Sequence, residues 1–303
     1  MITIFTALYP EAKELIRALS LKKDMTQNHF QVFSDENNQI QIVITGASAI
    51  AAATAVAECS TRREPDSGDF LINYGSCAGR KNIPVGTVSL CNKLTQTVDG
   101  RTFYPDILYR HPFEEAELYS FPAVQDREFL DKDAGAGDRG KEILVDMEAA
   151  AIYQAGNYYY APHQMLFLKV VTDHGTTQEP QSAGSGEHFS QIMDRAAEEV
   201  LTFIRQLLTM QEKNSRQESM QEAFKSQVEE QAKLWQEALH GSETMKAQIR
   251  QMILYHSLCE AKEASGKQTM SGWYREYEQA GRLPAKDKRE GKRILEELRA
   301  RVL

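Results

Sequence analysis

The feature that most constrains this fold is an alternation of short apolar runs with helical stretches over the first 210 residues. An apolar run at residues 2–7 precedes a helical pattern at 10–19 that has Pro10 in its first turn, where proline is favoured. Residues 164–173 are almost continuously apolar, which is typical of a strand covered on both faces. The alternation therefore predicts an α/β protein with a layered sheet.

Five further segments complete this pattern. The predicted strands are residues 39–46, 69–79 and 85–92, and the predicted helices are 49–60 and 188–208. The strand at 69–79 ends in the residues NYGSCAG, which are expected to form a Gly/Ser turn. Loops at strand ends are the usual place for a binding site in such a sheet.

Charge is unevenly distributed along the chain. Residues 213–303 carry 17 Lys and Arg against 14 Asp and Glu, whereas residues 1–212 carry 18 against 29. The net charge thus changes from −11 to +3 near residue 212. This shift predicts a domain boundary there, with one domain at 1–212 and a second at 213–303.

The second region is predicted to be an α-helical appendage. Its apolar residues keep helical spacing, and residues 241–242 (Gly-Ser) provide a helix stop and a new N-cap. One stripe should be covered by other parts of this chain, by a second subunit or by a protein partner, since exposing a Trp and a Phe on one face is costly. That stripe consists of Met220, Phe224, Val228, Trp235 and Leu239.

Several features bear on the cellular setting. The start of the sequence lacks basic residues ahead of its apolar run, so it is expected to be a strand and not a signal peptide. No stretch has the apolar length of a membrane span. The four cysteines show no CxxC spacing, which argues against a zinc site or a disulfide framework. We expect a cytoplasmic protein without metal or organic cofactor. The basic run at 286–293 is expected to be a solvated helical face, not a nucleic-acid site.

Three acidic residues stand where strands meet loops or helices. Glu11 follows the first strand, Glu148 opens an alanine-rich helix, and Asp173 ends the strand at 164–173. Taken singly, each is best interpreted as an acid near a helix N-terminus, where the dipole favours it. Taken together they indicate a site, because strand ends of one sheet converge.

Four motifs follow one another along the chain: ALYPEAKELI at 7–16, INYGSCAG at 72–79, VDMEAAAI at 145–152 and VVTDHG at 170–175. In this order they resemble the purine nucleoside phosphorylase and nucleosidase superfamily, most closely the 5′-methylthioadenosine/S-adenosylhomocysteine nucleosidases. The resemblance covers about 170 residues. It implies a three-layer sandwich with a central mixed sheet, followed here by the helical appendage.

The resemblance also implies how the nucleoside is held. Met147 would pack against the ribose, and Glu148 would accept hydrogen bonds from the 2′ and 3′ hydroxyls, a role that suits an acceptor-only carboxylate. Asp146 has no role carried over from the family, and it is expected to be a surface or capping acid.

The remaining family roles concern bond cleavage. The purine must be protonated as it leaves while a nucleophile attacks the anomeric carbon. By resemblance, Asp173 would be the general acid toward N7, with Thr172 orienting it. Glu11 would hold and activate the attacking water, and Ser76 would lie near that water.

The nucleophile is water or phosphate. Phosphate needs cationic or backbone donors, and related phosphorylases place arginines where this sequence has Asn73 and the first-loop residues around Glu11. Hydrolysis is therefore favoured. Phosphorolysis remains the alternative, because Arg101 could reach in from a neighbouring loop or subunit.

The sequence departs from the family between the second and third motifs, where it is shorter. Residues 131–138 (DKDAGAGD) resemble a brief connection that replaces a strand and a helix. The family's purine-stacking phenylalanine comes from about this region, and Phe121 and Phe103 are the candidates.

The sequence thus predicts an N-ribosyl hydrolase of a purine nucleoside or thionucleoside that assembles as a homo-oligomer. The rival hypothesis is a nucleoside-binding regulatory module whose residues 213–303 engage a protein partner.

Overall fold

The structure, a computed structural model, describes residues 1–26, 29–124, 129–130, 142–175, 186–260 and 269–302. It divides into two compact units, Met1–Lys213 and Asn214–Leu303. Within the described ranges, no helix is both long and apolar enough to cross a bilayer.

The first unit contains ten strands and four helices among its described residues. The strands are β1 (Ile2–Thr6), β2 (Lys22–Lys23), β3 (Gln31–Ser34), β4 (Ile40–Ile44), β5 (Phe70–Gly79), β6 (Val88–Gln96), β7 (Thr102–Phe103), β8 (Glu114–Ser120), β9 (Ile143–Asp146) and β10 (Met165–Asp173). The helices are α1 (Tyr9–Ala18), α2 (Ala49–Arg62), α3 (Ala149–Gly156) and the first part of α4 (Gly186–Ala238), with a 3-10 helix at Pro162–Gln164.

Strand β5 is the centre of the sheet. It pairs in parallel with β1 and β10, and its carboxyl end pairs antiparallel with β9. Because β10 pairs with β6, β6 with β8 and β8 with β9, these strands close a ring with β5. Strands β1, β4, β3 and β2 extend from it as an open wing. The predicted mixed sheet is confirmed, and the ring at one end is a feature that the sequence does not indicate.

Helices cover both faces of this sheet. Ile2 and Ile4 of β1 belong to an apolar core that includes α1 and α4, whereas Phe5 belongs to a second core that includes α2 and α3. This division follows from the strand period of two, which sends alternate side chains to opposite faces. The predicted three-layer α/β sandwich is therefore confirmed.

One local expectation is wrong. The residues at 73–79 do not form a Gly/Ser turn, because β5 continues through them to Gly79. The extra length lets the end of β5 pair with both β9 and β10. A side chain at Gly79 would force a neighbour to shift in this close packing, since its Cβ would lie 2.9 Å from Cγ1 of Val171.

The second unit is wholly helical among its described residues. It comprises the last part of α4 and helices α5 (Glu243–Glu260), α6 (Met270–Gln279) and α7 (Lys288–Val302). Ser242 Oγ accepts a hydrogen bond from Met245 N at 3.4 Å, so the predicted N-cap is confirmed. The helix predicted at 188–208 is longer than expected, because α4 is continuous from Gly186 to Ala238.

The apolar stripe predicted at 220–239 is only partly buried among the residues that the structure describes. Val228, Trp235 and Leu239 are buried in the core of the second unit. Met220 and Phe224 are 73% and 40% exposed, because the core of this unit begins only at Val228.

Candidate active site

A cavity of about 350 Å³ lies where several strands end. The described residues that line it are Ala7, Leu8, Glu11, Ala47, Ser76, Cys77, Ala78, Ala123, Val124, Leu130, Val145, Asp146, Met147, Glu148, Thr172, Asp173 and Gly175. They come from the carboxyl ends of β1, β4, β5, β9 and β10 and from the adjoining loops and helix starts. Its volume is within the range of small-molecule sites.

Glu11 lies in the first turn of α1 and is 3% exposed. Its Oε2 accepts hydrogen bonds from Thr6 Oγ1 at 2.8 Å and from Leu8 N at 2.9 Å. Its Oε1 accepts from Ser76 N at 2.9 Å and from Ser76 Oγ at 2.6 Å. Glu11 is thus an acid near a helix N-terminus, as expected for it taken singly. The same carboxylate also joins α1 to β5 at the cavity wall.

Gly75 in β5 lies beside the carboxylate of Glu11. A Cβ at this position would lie 3.4 Å from Glu11 Oε1, which is about a van der Waals distance. The carboxylate thus lies close to the backbone of β5, where Ser76 N donates to it.

Asp173 is directed by an irregularity in β10. The pairing of β10 with β5 shifts register between Val171 and Asp173, which leaves Thr172 as an extra residue. Such bulges re-aim side chains. Asp173 Oδ1 accepts from Gly175 N at 2.8 Å, and Thr172 Oγ1 donates to Asp173 Oδ2 at 3.1 Å. The neighbouring His174 does not line the cavity, and its Nδ1 lies 3.0 Å from Gly79 O.

Met147 and Glu148 enter the cavity from the connection between β9 and α3. Glu148 is the N-cap residue of α3, but its side chain makes no capping hydrogen bond. It is 8% exposed. Burial raises the pKa of Glu148 to about 7, although the charge of Lys169 opposes the rise.

Asp146 is not a surface acid, and this part of the expectation is wrong. It is 6% exposed and forms an ion pair with Lys169, whose Nζ lies 2.8 Å from Asp146 Oδ2. The capping part of the expectation is correct, because Asp146 Oδ2 accepts from Ala149 N at 2.9 Å.

Lys169 and Ser120 are site neighbours that the sequence reasoning missed. Lys169 lies in β10 and is 1% exposed. It does not line the cavity but forms an ion pair with Asp146, which does. A signal was present: one lysine interrupts an otherwise apolar strand that is buried on both faces, and a buried cation requires an acidic partner. For Ser120, which donates to Asp146 Oδ1 at 2.5 Å, the sequence carries no comparable signal.

Three residues considered from the sequence do not line the cavity. Phe103 stacks on Tyr153 with ring centroids 5.0 Å apart, and Phe121 packs edge-on against Phe129 at 4.7 Å. Both rings are thus held by neighbouring aromatic side chains. Arg101 pairs with Asp99, 3.2 Å away. The short connection at residues 131–138 lies outside the described residues.

Asn73, the residue that replaces a phosphorylase arginine, is 2% exposed and does not line the main cavity. Its Nδ2 donates to Phe5 O at 3.2 Å, which ties β5 to β1. Among the described residues that line the main cavity, four are acidic and none is Lys, Arg or His.

The comparisons with known proteins match this chain through its structure. No protein-family model matches it, and no curated protein matches it in sequence. The 5′-methylthioadenosine/S-adenosylhomocysteine nucleosidase from S. pneumoniae, solved with the transition-state inhibitor MT-ImmA, is 18% identical, with a TM-score of 0.53 over 67% of this chain and 97% of that one. The Arabidopsis thaliana 5′-methylthioadenosine nucleosidase in apo form is 16% identical, with a TM-score of 0.53 over 68% and 95%.

A third structure, the 5′-methylthioadenosine/S-adenosylhomocysteine nucleosidase from Colwellia psychrerythraea in complex with adenine, is 18% identical. Its TM-score is 0.52 over 69% of this chain and 94% of that one. These nucleosidases are matched over nearly their whole length, whereas about a third of this chain lies beyond the match. The chain therefore has the fold of the 5′-methylthioadenosine/S-adenosylhomocysteine nucleosidases, as the motif resemblance predicts.

Proposed function

We propose that this protein hydrolyses the N-glycosidic bond of a purine nucleoside or 5′-thionucleoside. The observation that carries the proposal is the convergence of Glu11, Glu148 and Asp173 on one cavity. They come from α1, from the start of α3 and from the end of β10. Acids that lie 25 or more residues apart in the sequence are not brought together by local helix capping.

The chemistry assigns a different task to each acid. Asp173 donates a proton to the departing purine, which is a poor leaving group until it is protonated. Glu11 holds the attacking water, with Ser76 beside it. The two carboxyls act from opposite sides of the bond, as in inverting glycosidases. Glu148 binds the ribose diol, and Met147 packs on the sugar.

Water is the proposed nucleophile because of the charge around the cavity. Its described lining contains Glu11, Asp146, Glu148 and Asp173 and no cationic side chain. Lys169 compensates the charge of Asp146, but the other three carboxylates would repel a phosphate dianion, and the described lining offers it no cationic donor. This distribution of charge argues against phosphorolysis.

Within the proposed class of purine nucleosides and 5′-thionucleosides, the cavity wall favours a 5′ group with an apolar part, such as a thioether. Apolar side chains at Leu8, Val124 and Leu130 form part of the cavity wall, and the nucleosidases that share the fold act, by name, on 5′-methylthioadenosine and S-adenosylhomocysteine.

The test is incubation of the purified protein with adenosine, inosine, 5′-methylthioadenosine and S-adenosylhomocysteine, with and without phosphate. We expect free base and free ribose or 5′-substituted ribose in both buffers, separated by chromatography. Ribose 1-phosphate that forms only when phosphate is present would show a phosphorylase instead. Nucleoside binding by calorimetry without release of base would support the regulatory-module hypothesis.

A further inference from the structure

Asp146 connects three elements at the entrance to α3. Its Oδ1 accepts from Ser120 Oγ of β8 at 2.5 Å. Its Oδ2 accepts from Ala149 N at 2.9 Å and lies 2.8 Å from Lys169 Nζ of β10. The side chain therefore fixes the start of α3 against two strands of the ring.

The first two N–H groups of α3 are satisfied without Glu148. Ala149 N donates to Asp146, and Ala150 N donates to Ser120 Oγ at 3.0 Å. A helix start leaves its first N–H groups in need of acceptors. Since Asp146 and Ser120 supply these acceptors, the carboxylate of Glu148 is not used for capping and is directed to the cavity.

Lys169 provides the positive charge that compensates the buried carboxylate of Asp146. An unpaired carboxylate at the position of Asp146 would carry a large desolvation cost. Burial by itself lowers the pKa of Lys169, but the negative charges of Asp146 and Glu148 outweigh it and hold the pKa above its ordinary value. Lys169 therefore remains a cation in contact with Asp146.

We propose that Asp146, held by Lys169, is a positioning residue that sets Glu148 against the ribose hydroxyls and thereby determines discrimination between ribonucleosides and 2′-deoxyribonucleosides. The proposal rests on the proposed function, which assigns the ribose diol to Glu148. A carboxylate built to accept hydrogen bonds from a hydroxyl penalises the analogue that lacks it. This penalty requires that the carboxylate be held in place.

The charges around Glu148 give the proposal a second signature. Lys169 on β10 lowers its pKa, whereas Asp146 on β9 and Glu11 on α1 raise it. Removing the charge of Asp146 should move the pH midpoint of nucleoside binding to lower pH, and removing the charge of Lys169 should move it to higher pH. A role limited to stability would not produce shifts of opposite sign.

The experiment compares adenosine with 2′-deoxyadenosine as ligands of the wild-type protein and of the Asp146→Asn, Lys169→Met and Ser120→Ala variants. Affinity is measured by calorimetry, and kcat/KM by release of adenine, across a pH series that extends well above the Glu148 pKa of about 7. At the high-pH end we expect Asp146→Asn to reduce the preference for adenosine by about 10- to 100-fold. Ser120→Ala should have a smaller effect in the same direction.

Asp69→Asn is the matched control. Asp69 is also a buried acid in an ion pair, with the terminal ammonium of Met1 and with Arg63, but it does not line the cavity. It should lower thermal stability and leave the preference for adenosine unchanged. An unchanged preference in Asp146→Asn, or a loss of equal size in Asp69→Asn, would overturn the proposal. If Asp146→Asn does not fold, Ser120→Ala and Lys169→Met decide by the same criteria.

Measurements on the wild-type protein distinguish failure of the proposed function from failure of the positioning role. Binding of adenosine without release of adenine would refute hydrolysis, while the affinity ratio would still test the role of Asp146. Release of adenine with an intact preference in all three variants would refute the positioning role alone.

Discussion

The two units of this protein differ in what they bury. Among the described residues, the buried polar and charged side chains of the first unit include Glu11, Asp69, Asp146, Glu148 and Lys169. In the described part of the second unit, only His256 is a buried polar residue. Its core consists of apolar and aromatic side chains that surround Trp235.

This difference indicates where function is located. A buried ionised group costs stability unless it is paired and hydrogen-bonded. The first unit bears this cost at the cavity, where its acids converge, whereas the second unit has a core that serves packing. We therefore expect chemistry in the first unit and a structural or interaction role in the second, and the following variants test that separation.

The largest effect is expected for Asp173→Asn. Loss of the general acid should lower kcat on a 6-aminopurine nucleoside by about 10²- to 10⁴-fold, with a much smaller change in substrate affinity. Steady-state kinetics and calorimetry measure the two quantities. The control is Asp99→Asn, an exposed acid away from the cavity. Near-wild-type turnover of Asp173→Asn would remove this residue from the mechanism.

Trp235→Ala tests the second unit by itself. Trp235 is 1% exposed in the core of that unit, so truncation should lower its free energy of unfolding by about 3–5 kcal/mol. Denaturant unfolding followed by circular dichroism checks this, with Leu234→Ala as the control, because Leu234 is 46% exposed. Nucleoside turnover should be unchanged. A folded first unit that loses its activity in Trp235→Ala would contradict the separation of roles.

Glu148→Gln tests how much stability the first unit loses by burying the carboxylate of Glu148 at the cavity. The pKa of Glu148 is raised from 4.5 to about 7 by burial, so the folded state holds the proton more tightly. Protonated Glu148 therefore favours the folded state relative to its ionised form. This contribution to the free energy of unfolding is complete below pH 4.5 and is lost as pH rises through 7. Above pH 7, Glu148→Gln should be more stable than wild type by up to about 3 kcal/mol, while its affinity for the ribose falls.

Thermal unfolding of Glu148→Gln and wild type over a pH series measures this difference, and Glu64→Gln, at an exposed position, is the control. Equal stability of Glu148→Gln and wild type at all pH values would show that Glu148 bears no burial cost.

The smallest effect is expected for Met220→Ser and Phe224→Ser. Both residues are exposed on the α4 stripe, so the free energy of unfolding should change by no more than about 0.5 kcal/mol. The expected homo-oligomer stays a prediction, and light scattering of these variants addresses it. A decrease in oligomer size would show that a second subunit covers the stripe and that the second unit contributes to assembly.

The sequence predicted more of the fold than of the site. Periodicity located β1, β10, α1 and α2 correctly, because a strand or helix that is buried on a given face leaves a local repeat. It failed at the end of β5, where residues 73–79 have turn composition but pair with β9 and β10. It also missed the end of the helix predicted at 188–208, which continues to Ala238, because a helix can run on through an exposed polar segment.

The same division applies to the site residues. The order of the elements and the acids at strand ends were determined by the sequence alone, since both depend on neighbours along the chain. The tertiary structure decided that Asp146 is buried against Lys169, 23 residues further on, and that Phe103 is stacked on Tyr153 away from the cavity. Such contacts depend on strand order and register in the closed ring. These in turn depend on how the whole sheet buries its apolar surface, which no local pattern records.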